Sequence, residues 1–145
     1  ETKHYILFFD EINSFPSSYT TIREKQLINN LSYKSKMAIE KIDKFLHLKN
    51  NWDGYGSIIL SRVSIDLAKE FIKRAYSDNL EVYFIAPGRN GEVLVEYKLS
   101  EDISAEIYFN SDGSNELLIF NDDDCIFEGN IQDNYGELLS YYESW

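Results

Sequence analysis

A chain of 145 residues can bury one proper core and is too short for two comfortable ones, and its 43 % hydrophobic and 27 % charged residues are the mix of a folded domain, not of a disordered tail. No apolar run approaches the roughly 18 to 20 residues that a helix needs to cross a bilayer, so no membrane segment is expected. The net charge of −11 is unevenly divided, residues 1–77 carrying 12 Lys+Arg against 9 Asp+Glu (+3) and residues 78–145 carrying 2 against 16 (−14), a field that repels nucleic acid.

The chain opens on Glu1 rather than Met, as it would after cleavage of a signal peptide or after trimming. His4-Tyr5-Ile6-Leu7-Phe8-Phe9 is a short apolar run that predicts a strand, ended by Asp10, Glu11 and Asn13. Residues 13–33 have loop character around Ser14, Pro16, Ser17 and Ser18, followed by a broken helical spacing of Ile22, Leu27, Ile28 and Leu31. From 35 to 48 the pattern clears: Ala38, Ile42, Phe45 and Leu46 fall on one helical stripe, with lysines and acids mostly outside it. That helix should stop at Asn50 or Asn51, where Asp53-Gly54-Tyr55-Gly56 supplies two residues free to take positive φ. A second helix is expected from Ser61, a good N-cap, to about 77, with Ile65, Ala68, Phe71, Ile72 and Ala75 as its buried stripe.

The rest alternates as strands do. Residues 82–85 form one strand, stopped by Pro87-Gly88 and turned by Asn90-Gly91. In 92–99, Val93, Val95, Tyr97 and Leu99 share one face and Glu92, Leu94, Glu96 and Lys98 the other. In 103–109, Ile103, Ala105, Ile107 and Phe109 point inward and Ser104, Glu106 and Tyr108 outward. Asp112-Gly113 turns the chain again, 116–120 and 125–127 are strands, and Tyr135, Leu138, Leu139, Tyr142 and Trp145 give 131–145 helical spacing interrupted by Gly136. Clean alternation implies an antiparallel meander with one wet face. The expected fold is a single α+β domain over 1–145: a helical half at about 34–77, a sheet at about 81–128 and a C-terminal helix at about 131–143, with amphipathic helices on one face of the meander.

Chemistry-bearing motifs are sparse. There is no Walker-type loop, dinucleotide fingerprint, His-Glu-x-x-His helix or Cys-x-x-Cys pair, and with only His4 and His47 a histidine-rich metal site is excluded. Cys125 follows three aspartates, whose charge works against a reactive thiolate, so a buried or semi-buried strand thiol is expected. A single cysteine also forms no internal disulfide, and it fits a reducing, cytoplasmic setting. Asp122-Asp123-Asp124 and Asn110-Ser111-Asp112-Gly113-Ser114 lack the ligand spacing of a calcium loop and are expected to be turns. No cofactor, metal or catalytic residue is expected.

Two candidate sites remain. On the wet face of the sheet, Glu92, Glu96 and Glu106, with Tyr83, Tyr97, Tyr108 or other exposed rings as anchors, could gather an acidic surface for a basic protein such as a nuclease or another nucleic-acid-binding protein. A hydrolase built on those carboxylates ranks last, because their spacing singles out no acid/base pair. The second candidate is the loop Asn51-Trp52-Asp53-Gly54-Tyr55-Gly56. Trp52, Asp53 and Tyr55 would wall a small-molecule or nucleotide pocket, with amides near Gly54 and Gly56 turned to the ligand. In the structural alternative, Trp52 plugs the core, Asp53 caps the turn with its side chain and the glycines take the bends.

That corner, the helix opened by Ser61 with Ala68 and Phe71, and the Pro87-Gly88 and Asn90-Gly91 turn leading into Val93-Leu94-Val95-Glu96-Tyr97 resemble a group of small bacterial and phage proteins. In that group a helix, an Asn-Trp-Asp-Gly-Tyr-Gly corner, a second helix and an antiparallel sheet follow in order. The resemblance spans about residues 38–129, is specific at the corner and loose elsewhere, and leaves 1–33 and the C-terminal helix uncovered. It implies an accessory protein of the antitoxin, immunity or counter-defence kind and carries over no catalytic residue. The chain departs from the pattern at Ser57-Ile58-Ile59-Leu60, where the group has a small residue and a proline-containing approach to the helix, so a looser corner is expected here.

Overall fold

A computed structural model describes residues 31–142. The strand expected at 4–9, the broken helical spacing before Leu31 and the last three residues, Trp145 among them, lie outside the described residues.

The first described helix, α1 (Tyr33–Lys44), starts at Ser32, whose hydroxyl accepts from the Ser35 amide at 3.2 Å. Its buried face is Ser35, Ala38, Ile39 and Ile42, an i, i+3, i+4, i+7 set. It ends earlier than the spacing predicts, because the chain tightens into a 3₁₀ turn over Phe45–His47. Three residues per turn rotate Leu46 out of the stripe while Phe45 stays buried, and Ile39 takes the place expected for Leu46. Helix α2 (Arg62–Ser77) follows its spacing closely: Ser61 caps it by accepting from the Ser64 amide at 3.0 Å, and Ile65, Ala68, Phe71, Ile72 and Ala75 are all buried. Asn79, at φ +71°, closes its end: its amide donates to the Tyr76 carbonyl at 2.9 Å and the Leu80 amide reaches back to Ala75 at 2.8 Å. This pair of bonds is the Schellman arrangement, with the buried Leu80 as its apolar seal.

Five strands follow: β1 (Val82–Pro87), β2 (Val93–Lys98), β3 (Ile103–Phe109), β4 (Asn115–Asn121) and β5 (Asp124–Gly129). They lie in chain order, every neighbour antiparallel. Val93, Val95, Tyr97, Leu99, Ala105, Ile107, Phe109, Leu117 and Ile119 all point to the helices and are sealed from solvent. At the centre the Phe71 ring meets Tyr97, Phe109 and Tyr135 with centroids 5.8, 5.7 and 5.9 Å away. Helix α1 packs on β1, α2 crosses β2 and β3, and the last helix, α3 (Ile131–Ser140), lies on β4.

Asn130 caps α3, accepting from the Asp133 amide at 2.7 Å. The helix runs on through Gly136, and its irregular residue is Asn134 (φ −124°, ψ 23°), whose side chain donates back to the Asn130 carbonyl at 2.8 Å. Tyrosines bind α3 and the residues after it to the end of α2. The Tyr135 hydroxyl donates to Asp78 at 2.5 Å, its ring stacks 3.6 Å from the Arg74 guanidinium, and the Tyr142 hydroxyl donates to the Asn79 carbonyl at 3.0 Å. The described chain is thus an α+β fold with three α-helices on one face of a five-stranded antiparallel meander, as the patterning predicts. None of the described helices is long and apolar enough to cross a membrane.

Candidate functional site

The Trp52 corner closes on itself. Asp53 Oδ1 accepts from the amides of Tyr55 (2.8 Å) and Ser57 (3.3 Å), and the Asp53 amide donates to the buried Ser57 hydroxyl (3.1 Å). The Gly54 amide donates to the Asn51 carbonyl (3.1 Å) and the Gly56 amide to the Asn51 side chain (2.7 Å). Both amides offered to a ligand by the pocket reading are therefore engaged inside the loop. Trp52 is half-buried at the margin of the core, its ring nitrogen donating to the Ile58 carbonyl at 3.3 Å, and Tyr55 is 79 % exposed. The Tyr55 amide first, then Ser57 and Arg89, hold the Asp53 carboxyl below its ordinary value against an opposing effect of burial.

Arg89, which carries no signal in the sequence, is the corner's second anchor. From the β1–β2 turn its Nε meets Asp53 Oδ2 at 2.9 Å, its guanidinium donates to the Tyr55 carbonyl, and its own carbonyl accepts from the Ile58 amide at 2.9 Å. Ser64 adds a bond from the first turn of α2 to the Gly91 carbonyl at 2.9 Å. The departure at Ser57-Ile58-Ile59-Leu60 thus does not leave the corner loose: Ser57 bonds inward, Ile58 bonds across to the hairpin, and Leu60 is buried.

The other candidate residues gather elsewhere, on the sheet face turned away from the helices. Register places them. Across all five strands runs the row Phe84, Glu96, Glu106, Leu118, Glu128. On one side of it lies Ala86, Leu94, Tyr108, Glu116, and on the other Lys98, Ser104, Phe120, Cys125; Cys125 is exposed there, not buried or half-buried as expected, because β5 is the last strand of the sheet. Glu96 and Glu106 are direct cross-strand partners, a like-charged pairing that costs a sheet stability. Burial, then the facing charge of Glu106, raise the Glu96 pKa, and Lys98 offsets part of the effect. The Tyr108 hydroxyl donates to Glu106 at 2.7 Å. Burial, that bond and the charges of Glu106, Glu92 and Glu116 push its pKa up to about 12. Glu92 sits at the edge of this group, accepting from the Asn90 amide at 2.9 Å.

At one end of the face the surface dips into a cleft of about 220 Å³ where Tyr83 and Lys98 meet the acids Glu96, Glu101, Asp102 and Asp122. Leu94, Leu118 and Phe120, all half-buried, interleave with the carboxylates. Of the expected ring anchors, Tyr83 and Tyr108 border this face, whereas Tyr97 is fully buried against Phe71 on the helix side; the face is a mosaic of rings, aliphatic groups and acids. The continuous apolar run Leu117-Leu118-Ile119-Phe120 carries the signal for this, since a strand apolar at every position is apolar on both faces. The structure thus separates the seven candidate residues into two places: Trp52, Asp53 and Tyr55 in the corner, and Glu92, Glu96, Glu106 and Tyr108 on the open face. Compared with protein-family models, with curated proteins and with solved structures, the chain matches none.

Proposed function

We propose that this is a small acidic, non-enzymatic binding protein whose open sheet face docks a basic protein and neutralises or regulates it, in the manner of an antitoxin, immunity or counter-defence protein. The observation that carries the reading is Glu96 set directly opposite Glu106 in the middle of a sheet face bordered by Tyr108, Leu118 and Phe120. Packing of the fold gains nothing from two facing carboxylates. A partner's lysine or arginine set between them relieves their repulsion, and the flanking rings and aliphatic groups supply the apolar anchors around which interfaces concentrate their energy. The −14 balance of residues 78–145 speeds the approach of such a partner, a nuclease or another nucleic-acid-binding protein.

The test is calorimetric titration against a panel of basic nucleases, with Glu96→Lys/Glu106→Lys beside the wild type. Binding that weakens with salt and is lost in the variant, while its thermal melt stays cooperative, supports the reading. Retention of full affinity by the variant, or an interface mapped wholly to the helices, overturns it.

A further inference from the structure

The two edges of the sheet carry opposite charge. Between edge strand β1 and helix α1 runs a groove of about 370 Å³, lined by Met37 and Phe84 and by Lys34, Lys41 and Lys44 against Glu40, with Glu81 bonded to Ser32 at the start of the same edge. Met37 is 46 % and Phe84 47 % exposed. The register of β1 slips between Val82 and Phe84, a bulge that leaves Tyr83 and Phe84 both facing outward. The opposite edge, β5, is also six residues long. It follows Asp122 and Asp123, begins with Asp124, carries Glu128, and exposes 42 % of Ile126 midway along. Among the described residues no strand pairs with the outer side of β1 or of β5; an open edge of that kind is a template for another strand, and here charge decides which. Two β1 edges would oppose lysines to lysines, and two β5 edges aspartates to aspartates. Only an unlike pair places the β5 acids on the α1 lysines and an apolar side chain over Met37 and Phe84.

We propose that the α1–β1 groove is the docking site for the β5 edge of a second copy of this chain, so that the protein associates head to tail. The contact joins two different surfaces and leaves one of each free at the ends, so the assembly is open rather than a closed dimer. It uses the two edge strands, of which Tyr83, Phe84 and Glu128 also border the open face, but its test reads self-association and needs no basic partner. Each copy's net charge opposes approach at long range, but at about 0.15 M salt that repulsion is screened beyond about 8 Å while charges in contact still attract.

Sedimentation velocity on the full chain, at that ionic strength and with reductant present so that Cys125 forms no crosslink, tests the proposal. The average mass of the wild type should climb with concentration past that of a dimer. Lys41→Glu/Lys44→Glu and Asp123→Lys/Asp124→Lys, all at exposed positions, should each sediment as monomers with unchanged circular dichroism. An equimolar mixture of the two should assemble again, because the reversed groove then meets the reversed strand. A wild type that stays monomeric throughout, a mass that levels off at two chains, a variant that assembles alone, or a mixture that does not assemble would each overturn it.

Discussion

The two faces of the sheet are made by the same five strands and obey different rules. On the helix side, Val95, Ala105, Ile107 and Ile119 have no solvent exposure, and each is the kind of residue that close packing selects. One residue along each strand, on the other side, stand Glu96, Glu106 and Leu118, half-exposed, with two carboxylates facing one another. Packing accounts for the first set and not for the second. Where local choices run against stability without a structural return, a site is the usual reason.

Substitutions can break this contrast, and the largest effect belongs to the helix side. Phe71 touches three rings at once, so Phe71→Ala opens a cavity and should cost about 3–5 kcal/mol in chemical denaturation. On the open side, Phe120→Ser should cost about 1 kcal/mol or less while weakening partner docking. Equal losses at the two positions would mean that the faces are not distinct.

The corner comes next. Asp53→Asn replaces the carboxylate that accepts from Tyr55 and Ser57 and meets Arg89, and it should lower the melting temperature at pH 7. The sign with pH follows from the lowered pKa. The folded state holds Asp53 ionised below its ordinary value of 3.8, so the carboxylate stabilises the fold above that value. The contribution fades as pH falls through the lowered value. Thermal melts of wild type and variant should therefore differ at neutral pH and converge in acid. A gap that stays constant would assign the effect to something other than the charge.

Much of this was legible in the residues. Ser61, the stripe from Ile65 to Ala75, the alternation in β2 and β3 and the turn at Asn90-Gly91 depend on neighbours in the chain, and all of them form as their spacing predicts. What escaped depends on tertiary contact or on register. Nothing near Arg89 says that it will reach Asp53, 36 positions earlier in the chain. Nothing in the spacing before Phe45 announces that α1 tightens there. Alternation tells that Glu96 and Glu106 share a face, but only the register of β2 on β3 makes them opposite neighbours.

A smaller test returns to the helix side. The Tyr97 hydroxyl is buried with no hydrogen-bond partner among the described residues, and burial drives its pKa well above the ordinary value. An unsatisfied buried hydroxyl costs stability that its ring does not. Tyr97→Phe should raise the unfolding free energy by about 1 kcal/mol, in contrast to the loss expected at its neighbour Phe71. A loss at Tyr97 as well would point to a partner for the hydroxyl.

The smallest effect bears most directly on the open face. If Glu96 faces Glu106 for a partner's benefit, the isolated protein is less stable for it, and Glu96→Gln should stabilise it at pH 7 by about 0.5 kcal/mol, the scale of one cross-strand pair. Because the Glu96 pKa is raised, the folded state takes up a proton before the unfolded state does as pH falls. The wild type therefore regains the difference between the raised value and the ordinary 4.5, and below that the two proteins should unfold alike. Denaturation at pH 7 and again below 4.5 measures both limbs. The same variant should bind a basic partner more weakly than the wild type at low salt, since it removes one of the two charges that a lysine or arginine would bridge. Higher stability together with weaker binding is the signature of a surface held for recognition. A variant that is less stable at pH 7 would instead make Glu96 a structural residue and move the site elsewhere on the face.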